Sequence, residues 1–292
     1  MTLRQTEKPT VRRAGHSWSD VALTVWGVLV FIFLFAPIAV IIVSSFNSGR
    51  LLVAWDGFSI APFLAIVAKP AVQSAVLVSI QTGLIAAVFA TLLGTLAGIA
   101  MARHPGKWVY WFLGLLLLVS VTPEIVDAVA LLPWLVFLGQ DLGLTMFGNG
   151  IVRLVVGHSL FAIAVVSYIV RARLVGMDAQ LEEASGDLYA KPLTTFRRVT
   201  LPLAMPAVLA GFLLSFTLSL DNTVIAAFVQ VSGTTPWPVY VFSALRSGLR
   251  PEIAAVSTLM LLLTLVALAA VALVLKRAGD SATRIARTLG GG

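Results

Sequence analysis

Long apolar runs dominate this sequence and determine the solvent in which it can fold. They lie near residues 21–44, 71–102, 108–139, 151–170, 203–230 and 253–275. A helix needs about 20 mostly apolar residues to cross a bilayer, and every run reaches that length. Hydrophobic residues make up 59% of the chain and charged residues 11%, whereas a soluble domain carries about 25% charge. We therefore expect an all-α integral membrane protein with six transmembrane helices.

The third run, 108–139, is too long to be one straight span. As a continuous helix it would measure about 48 Å at a rise of 1.5 Å per residue. It also contains Pro123 and Pro133, and a proline inside a helix removes a backbone hydrogen bond and clashes with the preceding turn. We expect this helix to break near Pro123.

Basic residues indicate the orientation of the chain. If the third run crosses the membrane once, 15 of the 20 Lys and Arg residues fall on the side that holds both termini. Positive charge concentrates on the cytoplasmic side of membrane proteins. We therefore expect a cytoplasmic arm at 1–20, a membrane domain at 21–275 and a cytoplasmic tail at 276–292. This asymmetry and contact with anionic lipid account for the net charge of +7 without a nucleic-acid partner.

Several kinds of chemistry are absent from the sequence. It has no cysteine, and His16, His104 and His158 do not stand at metal-ligand spacing. No phosphate-binding loop of the form G-x-x-x-x-G-K-[ST] occurs, because the fragment at 104–108 lacks its first glycine and its hydroxyl residue. We expect no metal site, no cofactor and no ATP site in this chain.

One charged segment, residues 173–202, interrupts the apolar pattern. Its sequence predicts a short helix around 181–184, a polar turn at 189–192 and a second short helix at 196–199, both helices lying below the membrane. An interfacial helix rich in Arg would produce the basic half of the segment without a partner. It would not explain a Glu-Ala pair placed 18 residues before a Leu-Pro pair that opens the next span.

The segment resembles the signature loop of ABC importer inner-membrane permeases, E-A-A-x3-G-x9-I-x-L-P. The matching positions are Glu183, Ala184, Ser185, Tyr189, Val199, Leu201 and Pro202. Ser185 and Val199 are mild departures, whereas Tyr189 replaces a glycine that allows φ > 0 between the two helices. Residues 122–132 and 211–264 are similar to the C-type permease subunit of the polyamine (spermidine/putrescine) group of these importers.

The resemblance implies a type I ABC importer permease fold in a bacterial inner membrane and a transport subunit that is not itself an enzyme. It implies a homologous second permease, two ATPase subunits that bind ATP, and an extracytoplasmic substrate-binding protein. The loop would dock in a groove of an ATPase subunit and move as a rigid body when the ATPases close. The candidate contacts in the loop are Glu182, Glu183, Arg197 and Arg198.

Acidic residues inside the apparent spans suggest a path for a cation. A charge at the bilayer centre costs about 2.5–3.5 kcal/mol on insertion scales, so such residues usually face a bundle interior or a watery cavity. Protonated amines would also gain from aromatic faces through cation–π contacts. The candidate path residues are Glu124, Asp127, Asp221, Asn222, Trp134 and Trp237.

Structural roles for these residues stay open. Asp221 and Asn222 could cap a helix break or bond a neighbouring span. Glu124 could pair with a basic residue of the partner permease, and the tryptophans could be anchors at the membrane interface. Other polar or small residues are expected to pack, with Gly94 and Gly98 allowing close helix approach and His158 making a hydrogen bond between helices.

Other functions are also open. A permease of this kind could carry ferric iron, an opine, a phosphonate or thiamine. An ion-coupled secondary transporter would also have acidic residues in its spans, but it typically shows broken helices in both halves, and the sequence predicts one break. A membrane-embedded hydrolase or transferase would need a nucleophile facing a base, and the histidine in a span has no evident partner.

Overall fold

The computed structural model describes residues 18–52, 54–177, 180–246 and 248–277. Most of the expected N-terminal arm and C-terminal tail therefore lies outside the described residues. The long helices are α1 (Trp18–Ser44), α3 (Pro70–Arg103), α4 (Lys107–Val121), α5 (Glu124–Val136), α6 (Gly150–Val175), α9 (Leu201–Asp221) and α12 (Pro251–Arg277). The short helices are α2 (Ala61–Ala68), α7 (Gln180–Asp187), α8 (Pro192–Thr195), α10 (Val224–Val229) and α11 (Trp237–Ala244). The described part of the chain is helical, as its sequence predicted, and contains no strand beyond an isolated bridge between Asn47 and Phe58.

The spans agree with the apolar runs. Five helices, counting the helix that ends in α9, are long and apolar enough to cross a membrane, and α4 with the helix from Glu124 to Asp141 forms a bent sixth candidate. The chain bends by 102° between the two parts of that candidate. Thr122 and Pro123 are extended between them, because proline lacks an N–H and forces the residue before it out of the helical region. The predicted break near Pro123 is confirmed.

A second break, raised above only as an alternative role for Asp221 and Asn222, is present. The run at 203–230 was expected to be one span, but α9 ends at Asp221 and α10 begins at Val224. The expectation of a single broken helix is therefore wrong. Both breaks are followed by a half-helix, and these two half-helices, α5 and α10, pack together in one buried cluster. The contributing residues are Ala128, Leu131 and Leu135 of α5 and Ile225, Ala226 and Val229 of α10.

Glycines bring the central helices α3, α6 and α9 close together. A Cβ atom added to Gly94 of α3 would lie 2.6 Å from the Cβ of Val166 on α6, and one added to Gly98 would lie 2.9 Å from the carbonyl oxygen of Ser167. Gly211 of α9 faces the same Val166 side chain. Val166 is fully buried as a result, and the packing role expected for Gly94 and Gly98 is confirmed.

Polar contacts join the helices at a few further points. Nδ1 of His158 on α6 lies 2.6 Å from Oγ of Ser219 on α9, which confirms a hydrogen bond between helices at this histidine. The backbone N–H of Trp237 donates to Oγ of Ser79 on α3 at 2.7 Å. Such bonds place α11 against α3 without leaving the amide unpaired in an apolar surrounding.

Helix α1 stands apart from this core. None of its most apolar stretch is buried within the chain, and it packs against α12. A helix that is apolar on every side is stable where lipid or another subunit surrounds it.

We expect Gly94→Ala to destabilise the bundle by about 1–3 kcal/mol, because the added methyl group overpacks the contact with Val166. The matched control is Gly114→Ala on α4, where no atom lies within 4 Å of an added Cβ. Thermal unfolding of the detergent-purified chain should show a lower midpoint for the first variant and an unchanged or slightly higher midpoint for the second. Equal midpoints in both variants would contradict the close approach of α3 and α6.

Candidate functional site

The charged loop contains the short helix α7, and its second half is continuous with the membrane-spanning helix that ends in α9. Helix α8, a π-helical turn (Phe196–Thr200) and α9 form one apolar helix of 30 residues from Pro192 to Asp221. The expectation of a second short helix separate from the span is therefore wrong. The N–H of Leu201 donates to the carbonyl of Phe196. This wider turn lies directly before Pro202, which has no N–H to donate and would crowd the carbonyl of a regular preceding turn.

The turn after α7 is a Schellman motif with a tyrosine in the place usually taken by glycine. The N–H of Tyr189 donates to the carbonyl of Gly186 at 2.8 Å, and the N–H of Ala190 donates to the carbonyl of Ser185 at 3.1 Å. This pattern requires a left-handed residue after the helix, and Tyr189 has φ 58°. The side chain is 96% exposed, so contacts within the chain do not compensate for the left-handed backbone, which costs about 1–2 kcal/mol.

Glu182 differs from the other charged residues of the loop. Its Oε1 accepts hydrogen bonds from Nε of Arg103 at 3.0 Å and from Oγ1 of Thr200 at 2.7 Å. Arg103 is the last residue of α3, and Thr200 is the last residue before α9. The carboxylate expected to contact an ATPase is thus bound inside the chain, whereas Glu183 beside it is exposed.

The rest of the loop presents an exposed surface. Ser185 and Thr195 share a hydrogen bond of 2.9 Å that holds α7 against α8. Ala184, Arg197, Arg198 and Pro202 are exposed, and Val199 and Leu201 are half-buried. The motif did not identify the large apolar side chains that also face outwards, which are Leu181, Leu188 and Leu193. The sequence signal that could have identified them was the occurrence of three leucines in an otherwise polar segment, since apolar side chains on an exposed segment indicate a contact surface.

Asp221 lies at the edge of a cavity of about 570 Å³ between α9, α11 and α12. The polar and aromatic residues of its lining include Thr217, Asp221, Thr223, Trp237, Phe242, Ser257 and Thr264. The structure thus brings Asp221 and Trp237, two of the candidate path residues, to one cavity. Trp237 is largely buried and stacks on Tyr240 with ring centroids 5.5 Å apart, so its ring is fixed beside the cavity.

Asn222 has a structural contact. Its Oδ1 accepts a hydrogen bond from the N–H of Ile225 at 3.2 Å, in the first turn of α10. An amide oxygen in this position satisfies one of the free N–H groups at a helix start. The expected alternative, that this residue caps a helix break, is therefore present in the structure.

Glu124 and Asp127 occupy the first turn of α5, directly after the break at Pro123. Residues three apart in a helix share a face, and carboxylates are stabilised at the positive end of the helix dipole. Trp134 is half-exposed and stacks on Phe137 at 5.8 Å. These three residues belong to α5 and do not line the cavity of Asp221. The six candidates therefore divide into three on α5, two at the cavity, and Asn222, which lines neither place and bonds the first turn of α10.

Comparisons with known proteins agree with this architecture. Residues 92–285 match the family described as binding-protein-dependent transport system inner membrane component. The spermidine/putrescine transport system permease protein PotC of Escherichia coli (strain K12) is 35% identical over 237 residues, which is 81% of this chain and 87% of that protein. The putrescine transport system permease protein PotI of the same strain is 37% identical over 233 residues, covering 79% and 82%.

A solved structure shows the same fold. A chain from the crystal structure of a bacterial ABC transporter involved in the import of the acidic polysaccharide alginate superposes with a TM-score of 0.65 at 14% identity. The match covers 89% of this chain and 95% of that one. The expected type I permease architecture is therefore confirmed.

We expect Tyr189→Gly to stabilise the turn after α7, because glycine adopts the left-handed conformation without steric cost. Hydrogen exchange of the amides of residues 185–190 should slow by a factor that corresponds to about 1 kcal/mol. Tyr189→Ala is the control, since it removes the ring and keeps the strained backbone. Transport should stay intact or improve in the glycine variant; loss of ATPase coupling there would contradict the alignment of this turn with the glycine position of the signature loop.

Proposed function

Because this chain belongs to the family of binding-protein-dependent transport system inner membrane components, we propose that it forms half of the translocation path of an ATP-driven polyamine importer. The names of the relatives PotC and PotI motivate the choice of substrate. The observation in the structure that carries it is the position of Asp221 at the C-terminal end of α9, beside a cavity.

The electrostatics of that position favour a cation. The C-terminal end of a helix carries a partial negative charge, so a carboxylate there is destabilised unless a cation is near. A residue selected only for the stability of α9 would be neutral or basic. Asp221 and the terminal carbonyl groups of α9 together provide a negative site that a protonated amine would occupy favourably.

The other walls of the cavity suit a polyamine, which alternates ammonium groups with short methylene chains. Trp237 and Phe242 supply aromatic faces for cation–π and apolar contacts, and Thr217, Ser257 and Thr264 supply hydroxyl oxygens. A single carboxylate in an open cavity binds weakly. Weak binding fits a permease, which must release what it accepts.

Glu124 and Asp127 form a second negative point on the proposed path. They lie on the half-helix α5, which packs against the half-helix α10 that follows Asp221. The two groups of acidic residues are thus linked through one buried cluster. An amine could contact them in turn as the helices move, and the positive end of the α5 dipole offsets part of the cost of two neighbouring carboxylates when no amine is present.

The partners complete the importer. One of the two ATPase subunits would dock on the loop that contains α7 and α8, where Leu188, Tyr189 and Leu193 offer exposed apolar contacts beside Arg197 and Arg198. A homologous permease would supply the other half of the path, and an extracytoplasmic binding protein would deliver the substrate. The same architecture could serve another small solute, such as ferric iron, an opine, a phosphonate or thiamine.

One observation favours a second candidate, an ion-coupled transporter. The described residues contain two broken helices instead of the expected one, and broken helices with acidic residues beside them are typical of secondary transporters. The two mechanisms differ in their energy source. Uptake that persists in cells with depleted ATP and an intact ion gradient would contradict the ABC importer and support this alternative.

We expect Asp221→Asn to lower uptake of labelled putrescine and spermidine about tenfold, which corresponds to about 1.4 kcal/mol of lost attraction. Asp127→Asn and Glu124→Gln should also lower uptake. Asp141→Asn, an exposed acidic residue outside the cavity, is the matched control and should transport normally. Copurification with the ATPase subunit should be equal in all variants. Unaltered uptake in both α5 variants would refute their role, and unaltered uptake in Asp221→Asn would refute the cation site.

A further inference from the structure

We propose that Glu182 is the positioning residue that transmits movement of the ATPase-docked loop to the membrane helices, by binding Arg103 of α3 and Thr200, the residue directly before α9. This inference rests on the proposed function and assigns a task to one carboxylate within it. Glu183, one residue along, would serve the different task of facing the ATPase.

The geometry places Glu182 at a junction of three helices. It belongs to α7, and its Oε1 accepts hydrogen bonds from Nε of Arg103 at 3.0 Å and from Oγ1 of Thr200 at 2.7 Å. A charged hydrogen bond from a guanidinium is stronger and more directional than a neutral one. A displacement of α7 therefore pulls on the ends of α3 and α9 together.

The surroundings of this junction make it stiff. The side chains of Arg103 and Glu182 are 16% and 22% exposed, so solvent screens their attraction only partly. Nη2 of Arg103 is buried without a hydrogen-bond partner. Removal of the Glu182 charge would leave the guanidinium partly buried and uncompensated, which is costly, and Arg103 would move towards water.

The junction connects to the part of the bundle that carries the path. Helix α3 contacts α6 closely at Gly94 and Gly98, and α9 leads to Asp221 beside the cavity. Tightly packed helices shift as units and do not deform continuously. A push on α7 would thus reach the cavity through α9 directly and through α3 and α6 by packing.

The bond between Ser185 and Thr195 does not perform this task. It joins α7 to α8, which is continuous with α9, but it does not reach α3, so it keeps the docking surface in shape without joining the loop to the second membrane helix. We therefore expect its loss to weaken docking, whereas loss of the Glu182 contacts should leave docking in place and interrupt transmission.

The test compares transport with ATP hydrolysis in the complete complex, reconstituted in liposomes with the sister permease, the ATPase subunits and the binding protein. Labelled putrescine is the substrate. We expect Glu182→Gln to lower the amount of putrescine moved per ATP hydrolysed by about tenfold, while the ATPase subunit still copurifies. Thr200→Val should lower the same ratio by a smaller factor, because it removes one of the two contacts.

The second part of the test exchanges the charges of Glu182 and Arg103. The double variant Glu182→Arg with Arg103→Glu should recover a large part of the ratio that either single variant loses, which a general folding defect would not do. If Glu182→Gln does not accumulate in the membrane, the amount of putrescine moved per ATP hydrolysed is measured in Thr200→Val and in the double variant instead. A wild-type ratio in Glu182→Gln and Thr200→Val, or no recovery in the double variant, would overturn the inference. Failure of the proposed function would appear differently, as a wild-type complex that moves no putrescine.

Discussion

The bilayer requires every backbone N–H and C=O group at membrane depth to be paired inside the protein or to face a water-filled cavity. A continuous helix meets this requirement by itself. The two breaks among the described residues are therefore the places where backbone groups need another partner or a water-filled cavity. At Pro123 the chain turns by 102° into α5, whose first turn carries two carboxylates. At Asn222 a side-chain oxygen begins α10, and the end of α9 opens on a cavity. Four of the candidate path residues, Glu124, Asp127, Asp221 and Asn222, lie at these two interruptions.

The half-helices that follow the breaks connect two polar regions by packing, namely the first turn of α5 and the end of α9. Helices α5 and α10 share one buried cluster, and the glycine contacts of α3, α6 and α9 hold the longer helices at close range. The loop with α7 and α8 is joined to this bundle by the π-helical turn and by the contacts of Glu182. The loop is thus attached to the bundle at several points on one side and is exposed on the other side. This arrangement is expected of a segment that passes movement between subunits.

The sequence predicts the parts of this structure that depend on local physical chemistry. The spans follow from the length of the apolar runs, and the first break follows from Pro123. The left-handed turn at Tyr189 was implied by the resemblance to the signature loop, in which this residue takes the place of a glycine. The break at Asn222 was only an alternative at the level of sequence because no proline marks it. Its signal was the polar triplet of Asp221, Asn222 and Thr223 in an apolar run. The direction of the Glu182 side chain could not be predicted, because it depends on Arg103, a residue 79 positions away in the chain.

The central claim is that the loop containing α7 and α8 docks on a separate ATPase subunit, and the absence of cysteine from the chain allows a direct test. A single cysteine at Leu193, which is 67% exposed, would carry a photoreactive group in the assembled complex. The matched control is a cysteine at Phe58, which is 73% exposed in the segment between α1 and α2. The account predicts a covalent product between the ATPase subunit and position 193, and none from position 58. A product from position 58, or a complex that copurifies with its ATPase but gives no product from position 193, would contradict it.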